Sequence, residues 1–116
     1  MIKGIGLDII EIDRIRQLVG KQPKFVERIL TDAEQARFNE LAGRRQMEYL
    51  AGRFAVKEAY SKAVGTGIGE GLAFLDIETA YDAKGKPCIV KPRETGVHVS
   101  ITHSKEYAAA QVIIEE

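Results

Sequence analysis

The apolar residues of this chain change period at one place, the glycine-rich segment Gly65-Thr66-Gly67-Ile68-Gly69-Glu70-Gly71, and that change constrains the fold more than any other feature. Before it, Met47, Leu50, Ala51, Phe54 and Ala55 recur at the spacing of one helix face, about 100° per residue. After it, Leu75, Ile77, Thr79 and Tyr81 alternate with Asp76, Glu78 and Ala80, the period of a half-buried strand. Helices before the break and strands mostly after it predict an α+β fold with a largely antiparallel sheet.

The remaining segments fit that division. Ile2 to Ile10 is β-branched and reads as an N-terminal strand; Ile12, Ile15, Leu18 and Val19 then follow helical spacing as far as Gly20. Pro23 opens a short helical piece with Phe25, Ile29 and Leu30. Thr31-Asp32-Ala33-Glu34 matches a capping box, which starts a helix running to Leu41-Ala42. On the strand side, Cys88-Ile89-Val90 lies between turns. Val97, Val99, Ile101 and His103 share one strand face, His98, Ser100 and Thr102 the other, and Ala108 to Ile114 closes the chain. With no repeat or linker, residues 1–116 read as a single domain.

Composition narrows the function. Lys and Arg equal Asp and Glu at 17 each, which argues against generic nucleic-acid binding. No apolar run approaches the roughly 18 residues of a membrane span, and the N-terminus lacks the features of a signal peptide. Cys88 is the sole cysteine, so no internal disulfide is possible and a reducing compartment, the cytoplasm, fits best. One cysteine and two histidines exclude a closed zinc site of that type; a metal here would be a hard cation on carboxylates, magnesium first. Arg14, Arg16, Lys21, Lys24 and Arg28 concentrate base near the first helices, with Glu11, Asp13 and Glu27 among them. That is either a solvated helix surface or a docking face for an acidic partner.

On the long-helix wheel Glu58 falls in the apolar stripe and Lys62 at its edge. Their spacing alone is that of a surface ion pair worth roughly 0.3–0.5 kcal/mol. Their place on the wheel points equally to a site, because an unpaired buried charge is costly. Lys57, about 100° from Glu58, reads as a solvated lysine. Asp8 ends the first strand, where a capping role competes with that of a cation ligand. Asp8 and Glu58 would supply the one or two carboxylates magnesium takes from a protein, provided the helix packs on the first strand. The glycine-rich segment is not a Walker loop, but it can expose amides to a phosphate. His103 alone reads as a core or sheet-edge residue.

Together these segments resemble one family, the bacterial holo-acyl-carrier-protein synthases, group I 4′-phosphopantetheinyl transferases. Gly4-Ile5-Gly6-Leu7-Asp8-Ile9-Ile10-Glu11-Ile12, with Arg14 following, is similar to the family's first motif. Phe54-Ala55-Val56-Lys57-Glu58-Ala59-Tyr60-Ser61-Lys62-Ala63, completed by Gly65-Thr66-Gly67, resembles its central signature, and Ser100-Ile101-Thr102-His103-Ser104 its last element. The resemblance implies transfer of phosphopantetheine from coenzyme A to a serine of apo acyl carrier protein, releasing adenosine 3′,5′-bisphosphate, in service of fatty acid biosynthesis. It makes Asp8 and Glu58 magnesium ligands and sets Lys62 near the diphosphate. Gly65, Thr66, Gly67 and His103 fall where the family contacts coenzyme A, and Arg14 where it faces the carrier protein. It also implies a homotrimer with sites at subunit interfaces. A water held by magnesium or Glu58 would serve as base, with Lys62 or His103 as alternatives.

Two other functions use the same residues. A magnesium-dependent phosphohydrolase acting on a nucleotide would need Asp8, Glu58 and Lys62 but no protein acceptor. A non-catalytic coenzyme A-binding module would need only a structural Glu58–Lys62 pair.

Overall fold

The computed structural model describes residues 1–116. Strand β1 (Ile2–Glu11) runs directly into α1 (Ile12–Lys21), followed by α2 (Phe25–Ile29), α3 (Asp32–Glu40) and α4 (Gly43–Val64). After a 3₁₀ turn at Phe74–Asp76 come β2 (Glu78–Tyr81), β3 (Pro87–Lys91), β4 (Val97–His103) and β5 (Tyr107–Glu115). The sheet is antiparallel in the order β1-β5-β4, and β2 and β3 form a separate antiparallel hairpin. The α+β expectation holds. One strand is shorter than its alternation suggests: Ala73 N donates to Asp76 Oδ2 at 2.9 Å, which winds the chain at Phe74–Asp76 and delays β2 to Glu78.

The local signals explain the helix ends. Glu34 N donates to Thr31 Oγ1 at 3.4 Å and Thr31 N donates to Glu34 Oε1 at 2.9 Å, the reciprocal bonds of the capping box that starts α3. Gly65 ends α4 at φ +98°, a conformation that costs glycine little.

Helix α4 lies at the centre of the molecule. Its first half packs with Ile12, Ile15, Phe25, Ile29, Leu30 and Phe38. Its second half packs with Ile77 and Ile89 of the hairpin side and Val99, Val112 and Ile114 of the sheet. Each such side chain, fully buried, contributes about 1.5–3 kcal/mol. The helix meets β1 through bare backbone. A Cβ built on Gly4 would stand 2.0 Å from Ala63 O, and one on Gly6 would stand 1.8 Å from Ala59 O. Only glycine permits that approach.

Because α4 is covered on nearly every side, burial does not follow its apolar stripe. Lys57, expected in solvent, is 0% exposed. Its Nζ donates to Ile29 O and, at 2.6 Å, to Glu34 Oε1. Glu34 Oε2 in turn accepts from Thr79 N at 2.9 Å and Thr79 Oγ1 at 2.7 Å. Burial pushes the Glu34 carboxyl up, but the Lys57 ammonium and the hydrogen bonds to Lys57, Thr79 and Thr31 outweigh it and hold the carboxyl below its ordinary value. A cue was present in the sequence. Lys57 lies about 20° from Leu50 on the wheel, and the small residues Ala51, Gly52, Ala55 and Ala59 let neighbours approach the helix closely.

The outer face of the sheet is apolar and open. Ile5, Leu7 and Ile9 project from β1 at 56%, 63% and 64% exposure, beside Ile113, Gln111 and Ala109 of β5.

Candidate active site

The seam between β1 and α4 brings the first group of candidate residues together. Asp8 pairs with Ala110 across the sheet, two residues beyond Gly6 and on the same face of β1. Because the glycines let α4 settle on the strand, Lys62 reaches across it. Its Nζ donates to Asp8 Oδ1 and to Leu7 O, both at 3.0 Å. The partner of Lys62 is therefore Asp8 and not Glu58, and the surface ion pair between positions four apart is not formed.

Glu58 stands half-buried on the same side of α4. Burial raises its carboxyl pKa above the ordinary value, and the negative charge of Asp8 raises it further, against a smaller lowering by Lys62. Two carboxylates thus act on one another's charge with the Lys62 ammonium beside them. That excess of oxygen donors and negative charge suits a hard divalent cation, with positions left over for water and phosphate oxygens. Asp8 and Glu58 are the residues that would hold it.

The glycine-rich turn follows one helical turn on. The amides of Gly65, Thr66 and Gly67 all converge on Ser61 O, at 3.0, 3.2 and 3.2 Å. They close the helix, so these three of the segment's amides are engaged with α4 rather than open to a phosphate. Thr66 itself is exposed at the lip of the seam.

His103 lies elsewhere. It ends β4, two strands away from β1, with Nδ1 3.7 Å from Glu48 Oε2. Glu48 precedes Glu58 by ten residues of α4, or about 15 Å. Within one chain His103 therefore does not join Asp8, Glu58 and Lys62. It lines a cavity of about 150 Å³ together with Arg37, Arg45, Arg53, Tyr49 and Tyr81. Arg53 is 5% exposed, and its Nε and one terminal nitrogen have no hydrogen-bond partner. Its guanidinium stands 4.3 Å from the Tyr49 ring centroid and 5.2 Å from that of Tyr81. Glu48 is the only acid lining this basin, and Arg44 already bonds it at 3.1 Å. A buried, under-bonded guanidinium among further cations marks a place for an anion. The sequence reading missed these arginines, because their convergence depends on how α3, α4 and β2 pack.

Arg14 projects from α1 into solvent, as do Arg16, Lys21, Lys24 and Arg28. Arg16 is paired with Asp13 at 2.8 Å, whereas Arg14 forms no ion pair. This basic surface begins only a few residues after Asp8.

Residues 4–112 match the model of the 4′-phosphopantetheinyl transferase superfamily. The chain belongs to this family. Within it, the chain groups with the holo-acyl-carrier-protein synthases, and by that membership it is an enzyme. It is 58% identical over 116 residues to the holo-acyl-carrier-protein synthase of Anoxybacillus flavithermus, an alignment covering 99% of this chain and 97% of that protein. The synthase of Bacillus anthracis, solved in complex with coenzyme A (3′,5′-ADP), superposes with a TM-score of 0.91 at 55% identity, covering 98% of this chain and 96% of that one. The synthase of Helicobacter pylori, solved with coenzyme A, gives 0.82 at 33% identity, covering 96% and 99%. No helix of this phosphopantetheinyl transferase is long and apolar enough to cross a membrane.

Proposed function

We propose that this chain, as one phosphopantetheinyl transferase domain, moves the 4′-phosphopantetheine group of coenzyme A to a serine hydroxyl of apo acyl carrier protein. Adenosine 3′,5′-bisphosphate is released. The observation that carries the reading is the meeting of Asp8, Glu58 and Lys62 at the glycine seam. The family and the coenzyme A complexes of its relatives supply the substrate.

Asp8 and Glu58 would hold magnesium, which would supply neutralisation of the diphosphate charge. Lys62, already bonded to Asp8 and Leu7 O, turns its remaining donor to a phosphate oxygen and stabilises charge on the departing group. The serine proton passes to a water held against the Glu58 carboxylate. Gly65, Thr66 and Gly67 let the nucleotide approach the end of α4 without side-chain bulk. The basin around His103 and Arg53 takes a phosphate of the same coenzyme A. Since that basin stands apart from Asp8 in one chain, the complete site takes His103 from a neighbouring copy. The open apolar face of Ile5, Leu7 and Ile9 supports assembly into a homotrimer. Arg14 and the basic surface of α1 and α2 receive the acidic carrier protein. The enzyme works in the cytoplasm, which suits its lone cysteine.

The deciding experiment incubates the protein with coenzyme A, magnesium and an apo carrier protein. A carrier mass increase of one phosphopantetheine, lost on chelation, is expected. Phosphate release without an acceptor, or binding without turnover, overturns the reading in favour of a hydrolase or a binding module.

A further inference from the structure

We infer that Lys57, with Glu34, is a positioning residue: the pair fixes the axial and rotational setting of α4, and thereby where Glu58 and Lys62 meet Asp8. The inference rests on the proposed function only in reading that setting as turnover.

The argument begins with what the seam lacks. At β1 the helix contacts backbone through Ala59 and Ala63 above Gly4 and Gly6. Lys62 is the one long side chain that crosses there, and it is exposed and flexible, so the seam brings α4 close while opposing a slide or a turn only weakly. A one-residue error of setting is about 1.5 Å along the axis and 100° around it. Either displacement would carry Lys62 away from Asp8, and misplacement of about 1 Å in a reacting site costs about a hundredfold.

The pin lies on the other side of the helix. Lys57 Nζ is bonded to the last carbonyl of α2 and to Glu34 in the first turn of α3, while Glu34 also holds Thr31 N and both polar groups of Thr79 on β2. Four elements therefore meet on one ion pair, each through a directional bond. A buried pair of this kind is seldom the most stabilising choice, since apolar residues of similar volume often match or exceed it. What it supplies is a unique arrangement. Lys57 also directly precedes Glu58, so the phase fixed at one residue passes to the next with almost no flexible backbone between them.

The test replaces the pair together, Glu34→Gln with Lys57→Met, so that no lone charge is left buried. Expected are cooperative unfolding at a Tm near the parent's, a fall in kcat of tenfold or more, and an unchanged KM for the carrier protein. In the metal-free protein the amide resonances of Asp8, Glu58 and Lys62 are expected to move. A kcat within twofold of the parent, or unmoved resonances at those three positions, overturns the inference. If the double variant does not fold, Thr79→Val serves instead. It removes one bond to Glu34 and leaves the charges, and a two- to threefold loss of kcat at constant KM is expected, parental kcat being the overturning result. A parent protein without transferase activity would defeat the proposed function, and the resonances would still decide the positioning role.

Discussion

The fold favours the protonated form of the Glu58 carboxyl. Its carboxyl pKa is raised in the fold, so its contribution to stability is fully present below the unfolded value and is lost as pH rises through the folded one. At neutral pH the ionised Glu58 opposes folding, first because its carboxylate is partly buried and then because of the negative charge of Asp8. Glu58→Gln should therefore raise Tm slightly at pH 7, with the advantage shrinking as pH falls through the carboxylate range. The same change should lower transfer by about two to three orders of magnitude. Thermal melts across pH and steady-state assays check the two halves, and near-parental turnover at limiting magnesium would remove Glu58 from the site. Magnesium should raise the Tm of the parent and leave that of the variant almost unmoved. Arg14 makes a different claim. Arg14→Ala should raise the apparent KM for carrier protein several-fold and leave that for coenzyme A alone, and the parent's activity should weaken with salt. Equal effects on both substrates would argue against a docking role.

At the scale of elements, the seam between β1 and α4 is what turns separate residues into a site. Gly6→Ala should destabilise the protein by about 1–3 kcal/mol or more, because its Cβ would overlap the Ala59 carbonyl and push α4 off the strand. Denaturant unfolding measures the loss, and activity should fall further than stability does as Lys62 leaves Asp8. Most of the fold was legible in the sequence. The change of period at residues 65–71 separated helices from strands, and the Thr31–Glu34 signature located the start of α3. Asp8, Glu58 and Lys62 could be singled out, but not brought together, since contact between β1 and α4 is a long-range fact that spacing does not encode. Lys57 misled for a physical reason: an amphipathic stripe locates the buried side of a helix with one wet face, and α4 has almost none. The 3₁₀ turn at Phe74–Asp76 escaped because an aspartate side chain, not the apolar alternation, sets the backbone there.

At the scale of the whole molecule, the separation of His103 from Asp8 ties the proposed function to assembly. Leu7→Lys on the open sheet face should yield a monomer by sedimentation and an almost inactive one by carrier modification. Chains carrying Glu58→Gln and chains carrying His103→Ala, exchanged into mixed assemblies, should recover activity that neither has alone. Exchange without recovery would return the whole site to a single chain. The glycine seam leaves its own mark on how such a protein tolerates change. In a survey of every single substitution scored by function, Gly4 and Gly6 would look as irreplaceable as Asp8, although neither bears a group that could bind anything. Intolerance in this chain thus reports two different debts, one to chemistry and one to the clearance between a strand and a helix.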